Sequence, residues 1–278
     1  MKYGAHSLMF TPKFTKDDLG LIAHAKSLGL DGLEIHLDDL SVLPIDEIKK
    51  ELKKNQMEAT FTAVLDKDHD FISPDPEVRQ SGIDFIKRRL EIVAELGGDV
   101  LGGVNYAAWG KITGQARTKD EWEWCKECLN KIGQIAKPLG VVMALEPVNR
   151  YETHFLNTVE DARRLVEEVN HPNIRIHLDT YHCNIEEKSF YEAIKTCGEY
   201  LYHVHVCEND RGVPGTGHVN WDEVFKGFKE IGYDRWCVVE SFVPDVEEVA
   251  RLTAIWRQVA PSAEAIVTEG LRLFRRLE

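Results

Sequence analysis

VVMALE (141–146) is a short apolar run that ends in a carboxylate, Glu146. Three later stretches repeat this pattern, each with a potential metal ligand at or near its end: IRIHLD (174–179), YHVHV (202–206) and CVVE (237–240). Continuous apolar runs of about four to eight residues are typical of strands buried on both faces of a parallel sheet. We therefore interpret these stretches as the last four strands of one parallel sheet.

The rest of the chain alternates further strands with amphipathic helices. Helical periodicity fills the gaps, as in Asp17–Leu28 and Pro76–Leu96, and a final helix over Ala263–Leu277 lies outside the repeat. Such alternation indicates βαβ units, and a (β/α)8 barrel has about 250 residues. The sequence therefore predicts an α/β protein, a (β/α)8 TIM barrel in which residues 1–278 form a single domain with an extra C-terminal helix. The eight predicted strands are Lys2–Leu8, Gly32–His36, Ala59–Val64, Val100–Val104, Val141–Glu146, Ile174–Asp179, Tyr202–Val206 and Cys237–Glu240.

An open doubly wound sheet is the alternative architecture for this alternation. That fold carries a glycine-rich phosphate-binding turn after its first strand. Here the first turn reads SLMFTPKFT (7–15) and contains no glycine. The glycines of GGDVLGG (97–103) flank a strand and do not open a helix. The barrel is therefore the better interpretation.

The formal net charge of −13 argues against several classes of partner. Nucleic-acid binding depends on clustered Lys and Arg that release counterions, so an excess of acid opposes it, as it opposes binding to anionic membranes. No stretch approaches the roughly 18 apolar residues of a membrane span, and no signal peptide is indicated. Six scattered cysteines fit a reduced protein. We expect a cytoplasmic protein whose partner is a small molecule, without nucleic acid or membrane partners.

Four potential metal ligands end the last four strands: Glu146, Asp179, His205 and Glu240. They are separated by 33, 26 and 35 positions, each close to one βα unit, so their side chains are expected on the same rim of the barrel. Carboxylates brought together without a partner repel one another and resist ionisation, and a divalent cation removes that conflict. Three carboxylates and one imidazole predict one ion per chain, with Mn²⁺ favoured over Co²⁺ and Mg²⁺.

This ligand set predicts chemistry at a carbon next to a carbonyl. A metal that bridges a carbonyl and the neighbouring hydroxyl stabilises the enediolate and so acidifies the C–H between them. Glu146 and Glu240 come from strands three apart, so they are expected to approach a substrate carbon from opposite faces. One glutamate would remove the proton as base, and the other would return a proton to the opposite face.

Longer segments around these residues resemble the ketose 3-epimerases, the D-tagatose, D-allulose and L-ribulose 3-epimerase group of the xylose-isomerase-like barrels. The resemblance implies a metal held by the four residues above, with Glu146 and Glu240 as the acid–base pair. It implies that Glu152, His182 and Arg211 bind substrate oxygens, and that the protein is a homodimer or homotetramer. The segments are ALEPVNRYE (144–152), HLDTYHCNIEEKSF (177–190), HVHVCENDRGVPGTGHVNWDEVF (203–225) and KEIGYDRWCVVESF (229–242).

Other candidate residues are weaker. Trp109 is either a wall of the sugar pocket or an ordinary surface-loop tryptophan, and His6 stands where the family has an aromatic residue in the first strand. Glu34 is interpreted as a pocket residue, a helix cap or a salt-bridge partner. His203 is expected to point toward the barrel wall or the helices as a structural histidine. For Arg211, the alternative is a surface ion pair with Glu208 or Asp210.

Three other functions are alternatives to C3 epimerisation of a free ketose. An aldose–ketose or keto-inositol isomerase would use the same metal and the same enediolate. An apurinic endonuclease would need further histidines for its zinc cluster, and the ends of the third and fourth strands, Thr62–Val64 and Val104–Asn105, contain none. A non-catalytic sugar-binding protein would have no need of four metal ligands.

Overall fold

Eight parallel strands close into one barrel in the computed structural model, which describes residues 1–278. Consecutive strands are neighbours, and the first strand closes the ring by pairing with the eighth. The predicted fold class is confirmed, and no strand end differs from its predicted position by more than two residues. The strands are β1 Lys2–His6, β2 Gly32–His36, β3 Glu58–Thr62, β4 Val100–Gly102, β5 Val142–Leu145, β6 Ile174–Asp179, β7 Leu201–Val206 and β8 Trp236–Val239.

Ten α-helices accompany the strands, and the final one has the predicted bounds. The first helix begins later than predicted, because a capping box between Thr15 and Asp18 closes a separate 3-10 turn over Lys16–Asp18. The helices are α1 Gly20–Ser27, α2 Ile45–Asn55, α3 Pro76–Glu95, α4 Lys119–Leu139, α5 Val159–Val169, α6 Thr180–Glu186, α7 Phe190–Cys197, α8 Trp221–Ile231, α9 Glu247–Leu252 and α10 Ala263–Leu277.

Local signals fix where the long helices begin and end. Helix α4 starts at a capping box in which Thr118 and Glu121 each accept a hydrogen bond from the other's backbone N–H. It ends at Gly140, whose φ of +69° is a left-handed conformation that glycine adopts without steric cost. Gly232 ends α8 in the same way, with a φ of +66°. Each of these helices is followed by a short turn and then by the next strand. These strands are β5 and β8, which precede Glu146 and Glu240.

One hydrophobic cluster joins the barrel to the surrounding helices, with Leu90 of α3, Leu165 of α5 and Phe228 of α8 among its buried members. Polar residues are instead buried on the strands themselves, including Glu34, His177 and several of the predicted site residues. The barrel interior is therefore partly polar toward the carboxyl ends of the strands. None of the helices combines the length and apolar character needed to cross a bilayer.

Candidate active site and metal centre

The barrel brings the four predicted metal ligands together at the carboxyl ends of its strands. Glu146 and Glu240 directly follow β5 and β8, Asp179 is the last residue of β6, and His205 is the next to last of β7. One ligand atom from each residue lies within 4.8 Å of the others. Three of the side chains are buried and Glu240 is half-buried. We call these four residues the ligand group.

The ligand group fits a divalent metal ion. Glu146 Oε1 and His205 Nδ1 are buried without any hydrogen-bond partner, and such an unsatisfied group costs about 1–3 kcal/mol. An ion bound at about 2.1 Å would hold its ligand atoms within about 4.2 Å of one another, close to the spacing of this group. A cation at this position would satisfy both atoms. The mixture of carboxylates and imidazole is suited to Mn²⁺, Co²⁺ or Mg²⁺.

The two glutamates of the ligand group have opposite electrostatic environments. Burial raises the pKa of Glu146 well above its usual value, and the nearby carboxylates of Glu240 and Asp179 add to this effect. Burial also opposes ionisation of Glu240, but His205 and Arg211 outweigh it and hold the pKa of Glu240 well below its usual value. Without a bound ion, ionisation is therefore disfavoured at Glu146 and favoured at Glu240. Two carboxyl groups whose pKa values are shifted in opposite directions suit the roles of acid and base.

Arg211 lies between two members of the ligand group. Its Nη1 is 3.0 Å from Asp179 Oδ2 and 2.9 Å from Glu240 Oε2. The alternative ion pair of Arg211 with Glu208 or Asp210 is not found. Glu208 accepts hydrogen bonds from backbone N–H groups of its own loop, and Asp210 pairs with Arg257. Arg211 has a φ of +63°, a left-handed conformation that is uncommon for a residue with a side chain. The loop after β7 therefore turns this guanidinium inward.

His182, Glu152 and Trp109 form a hydrogen-bonded set beside the ligand group. The backbone N–H of Asn149 donates to His182 Nδ1 at 3.2 Å, so the ring proton is on Nε2, which lies 3.7 Å from Asp179 Oδ2. Glu152 accepts hydrogen bonds from Trp109 Nε1 and Asn149 Nδ2, each at 2.8 Å. Trp109 therefore orients a carboxylate of the site, a contact that the sequence did not indicate.

His6 lies on the other side of the ligand group, with its Nε2 3.8 Å from Glu240 Oε1. The Leu8 backbone N–H donates to His6 Nδ1, so Nε2 carries the proton and donates to Thr62 Oγ1 at 2.9 Å. The Thr62 hydroxyl also lies 3.1 Å from His36 Nδ1. Burial lowers the pKa of His6, so the ring is a neutral donor. The barrel thus gathers all nine predicted site residues at one end.

The expected orientation of His203 is wrong. Residues two apart on a strand share a face, so His203 points into the barrel as His205 does. The Nε2 atom of His203 lies 2.7 Å from Glu34 Oε2, and His205 Nε2 donates to Glu34 Oε1 at 2.5 Å. From the sequence, Glu34 is interpreted as a pocket residue, a helix cap or a salt-bridge partner, and this geometry fits the salt-bridge partner. Sequence reasoning missed His177, although its position two residues before Asp179 places it on the inward face of β6.

Comparisons with known proteins identify the family of this chain. The family model of the xylose isomerase-like TIM barrel matches residues 22–277. A ketose 3-epimerase of Arthrobacter globiformis is 34% identical over 100% of this chain and 99% of its own. A 3-dehydro-D-guloside 4-epimerase of Escherichia coli is also 34% identical, over 87% of this chain and 92% of its own.

A solved structure gives the same result. The crystal structure of a D-allulose 3-epimerase from Methylomonas sp. in complex with D-allulose superposes with a TM-score of 0.95 at 28% identity. The superposition covers 100% of this chain and 97% of that one. The resemblance found in the sequence is therefore confirmed: the chain is an isomerase that belongs to the ketose 3-epimerases of the xylose isomerase-like TIM barrel family.

Proposed function

We propose that the protein epimerises a free ketose at C3, with a substrate of the D-tagatose, D-fructose, D-psicose or L-ribulose type. The observation that carries this proposal is the convergence of Glu146 and Glu240 from β5 and β8 on one ligand group whose atoms lie within 4.8 Å. Inversion of a carbon next to a carbonyl needs one group that removes a proton and another that returns one to the opposite face. Two carboxyl groups held on separate strands supply this pair.

The cofactor in this proposal is one divalent ion held by Glu146, Asp179, His205 and Glu240. We infer Mn²⁺ ahead of Co²⁺ and Mg²⁺, because the imidazole ligand disfavours the hardest of these ions. When bound, the ion polarises the substrate carbonyl and its neighbouring hydroxyl and so acidifies the C–H between them.

The side chains of the chain itself carry the proton transfers. Glu240, whose Oε2 lies 2.9 Å from Arg211 Nη1, accepts the C3 proton, which would leave the substrate as a cis-enediolate. Glu146, which follows β5, donates a proton to the opposite face of C3. One C–H bond breaks, one forms, and the two carboxyl groups exchange protonation states. The reverse reaction uses the same groups in the opposite roles.

Neighbouring donors would bind the substrate oxygens. His182 presents a protonated Nε2 toward the ligand group, and Arg211 presents its guanidinium there, so both suit an oxygen that gains negative charge. Glu152 and His6 lie on either side and suit hydroxyl groups further along the sugar. Trp109 fixes Glu152 and suits the apolar face of the ring or chain.

Replacing His182 tests this substrate contact. We expect His182→Leu to lower kcat/KM for the ketose by about 10²-fold, the usual cost of one lost donor to a developing oxyanion. Its Mn²⁺ affinity should stay unchanged, because His182 is not in the ligand group. His171→Leu removes a buried histidine outside the site and is the matched control, with kcat/KM expected to remain at the wild-type value. A loss of metal affinity equal to the loss of kcat/KM would contradict this role.

A second candidate is epimerisation at C4 of a 3-dehydro sugar, since the Escherichia coli relative is also 34% identical, over 87% of this chain. Both reactions invert a carbon next to a carbonyl, so the same two glutamates serve either. Incubation of Mn²⁺-loaded protein with D-fructose, D-tagatose, D-psicose, L-ribulose and a 3-dehydro-D-glucoside, followed by chromatography, separates them. The C3 epimer of a free ketose is the expected product. Turnover of the glucoside alone would favour the second candidate, and an aldose product would indicate an isomerase.

A further inference from the structure

Glu34 is a completely buried carboxylate in the interior of the barrel. It is the third residue of β2 and does not belong to the ligand group. The Thr60 hydroxyl donates to its Oε2 at 2.8 Å, and His203 Nε2 lies 2.7 Å from the same oxygen. Its Oε1 accepts a 2.5 Å hydrogen bond from His205 Nε2. A buried charge is costly unless it is paired and hydrogen-bonded, and both oxygens of Glu34 are engaged.

The contact between Glu34 and His205 determines which ring nitrogen of His205 faces the ligand group. Because Nε2 donates its proton to Glu34, Nδ1 is unprotonated in the neutral ring. That Nδ1 is buried without a hydrogen-bond partner and lies 3.3 Å from Glu240 Oε2 and 3.7 Å from Glu146 Oε1. Histidines that bind metals commonly donate their other N–H to a carboxylate, which fixes both tautomer and ring orientation.

A second metal site formed by His177, His203 and His205 is the alternative reading of this cluster, since their nitrogens lie within 4.8 Å of one another. The Gly103 backbone N–H donates to His177 Nδ1 at 3.2 Å, so the proton of that ring is on Nε2, which cannot then bind a metal. The other two histidines direct Nε2 at Glu34. The cluster therefore supports the ligand group from inside the barrel and is not a separate site.

We propose that Glu34 is a positioning residue that holds His205 with its proton on Nε2 and presents Nδ1 to the metal. The Thr60 hydroxyl donates to the second oxygen of Glu34, and His203 Nε2 lies 2.7 Å from the same atom. This role rests on the proposed function only in requiring a metal at the ligand group.

The first experiment measures Mn²⁺ affinity by electron paramagnetic resonance of the free ion. Glu34→Leu is expected to raise the Kd for Mn²⁺ about 10- to 100-fold, the usual effect of removing such a partner. The control is Glu121→Leu, which breaks another carboxylate–histidine pair, 3.1 Å from His154 Nε2 and outside the barrel interior. It should lower the melting temperature through the lost capping box and leave the Kd unchanged. An unchanged Kd in folded Glu34→Leu would overturn the proposal.

The second experiment needs no variant. A multiple-bond ¹⁵N–¹H spectrum of the wild-type protein loaded with diamagnetic Mg²⁺ reports the tautomer of each histidine. We expect His205 to carry its proton on Nε2, and a proton on Nδ1 would overturn the proposal even if Glu34→Leu does not fold. Wild-type protein that binds Mn²⁺ tightly but converts no sugar would count against the proposed function alone, since the Kd and tautomer measurements judge Glu34 separately.

Discussion

Removal of the divalent metal is expected to lower kcat for ketose epimerisation by about 10³-fold or more, because a Lewis acid contributes several kcal/mol to stabilising the charge of the transition state. Added Mn²⁺ should restore the activity. The assay compares chelator-treated protein, before and after addition of Mn²⁺, with untreated protein at the same concentration. Full activity in protein without detectable metal by atomic emission spectroscopy would contradict the proposed chemistry.

Metal removal should also change stability. Glu146 Oε1 and His205 Nδ1 are buried without partners, so a bound ion satisfies both and relieves repulsion among the carboxylates. At a free Mn²⁺ concentration of 100 times its Kd, the free energy of unfolding is expected to rise by about 2.7 kcal/mol. Urea unfolding with and without Mn²⁺ measures this difference. His182→Leu, which leaves the ligand group intact, should show the same stabilisation.

The second large effect on kcat is expected from replacing either glutamate of the acid–base pair. We expect Glu240→Gln and Glu146→Gln each to lower kcat by about 10³-fold, because the amide keeps an oxygen for the metal but cannot accept or return the proton. Steady-state kinetics at saturating Mn²⁺ separates this loss from weaker metal binding. A variant with near wild-type kcat would remove its residue from the proton-transfer pair.

A matched control exists for these substitutions. Glu121→Gln makes the same change at a largely buried carboxylate that contacts a histidine, outside the ligand group. It should leave kcat unchanged. A comparable loss in this control would mean that the effect of Glu240→Gln arises from general destabilisation and not from lost proton transfer.

The barrel and the ligand group were predictable from sequence for the same reason. Buried parallel strands appear as apolar runs, and each of the last four runs ends close to a charged or imidazole residue. Because the carboxyl ends of barrel strands meet at one rim, sequence position translates directly into proximity. Glu146, Asp179, His205 and Glu240 therefore could be grouped without knowledge of any contact.

The contacts that orient His205 from inside the barrel were not predictable from the sequence in this way. Glu34 and His205 are 171 positions apart in the sequence, and no local pattern pairs a residue of β2 with one of β7. The inward orientation of His203 does follow from strand alternation, since it lies two residues before His205. The sequence does not indicate the hydrogen bond from Trp109 to Glu152, because it joins two loops 43 positions apart. Contacts between loops depend on their detailed paths, which periodicity does not specify.

The most direct test of the central claim, that two glutamates invert C3 of a free ketose, is the position of deuterium after turnover in D₂O. Mn²⁺-loaded protein is incubated with D-fructose, D-tagatose, D-psicose or L-ribulose, and the products are analysed by NMR. We expect the C3 epimer with deuterium at C3, and no exchange in chelator-treated protein. Deuterium at C1 or C2 of an aldose product, or no exchange in any of the four ketoses, would contradict this mechanism.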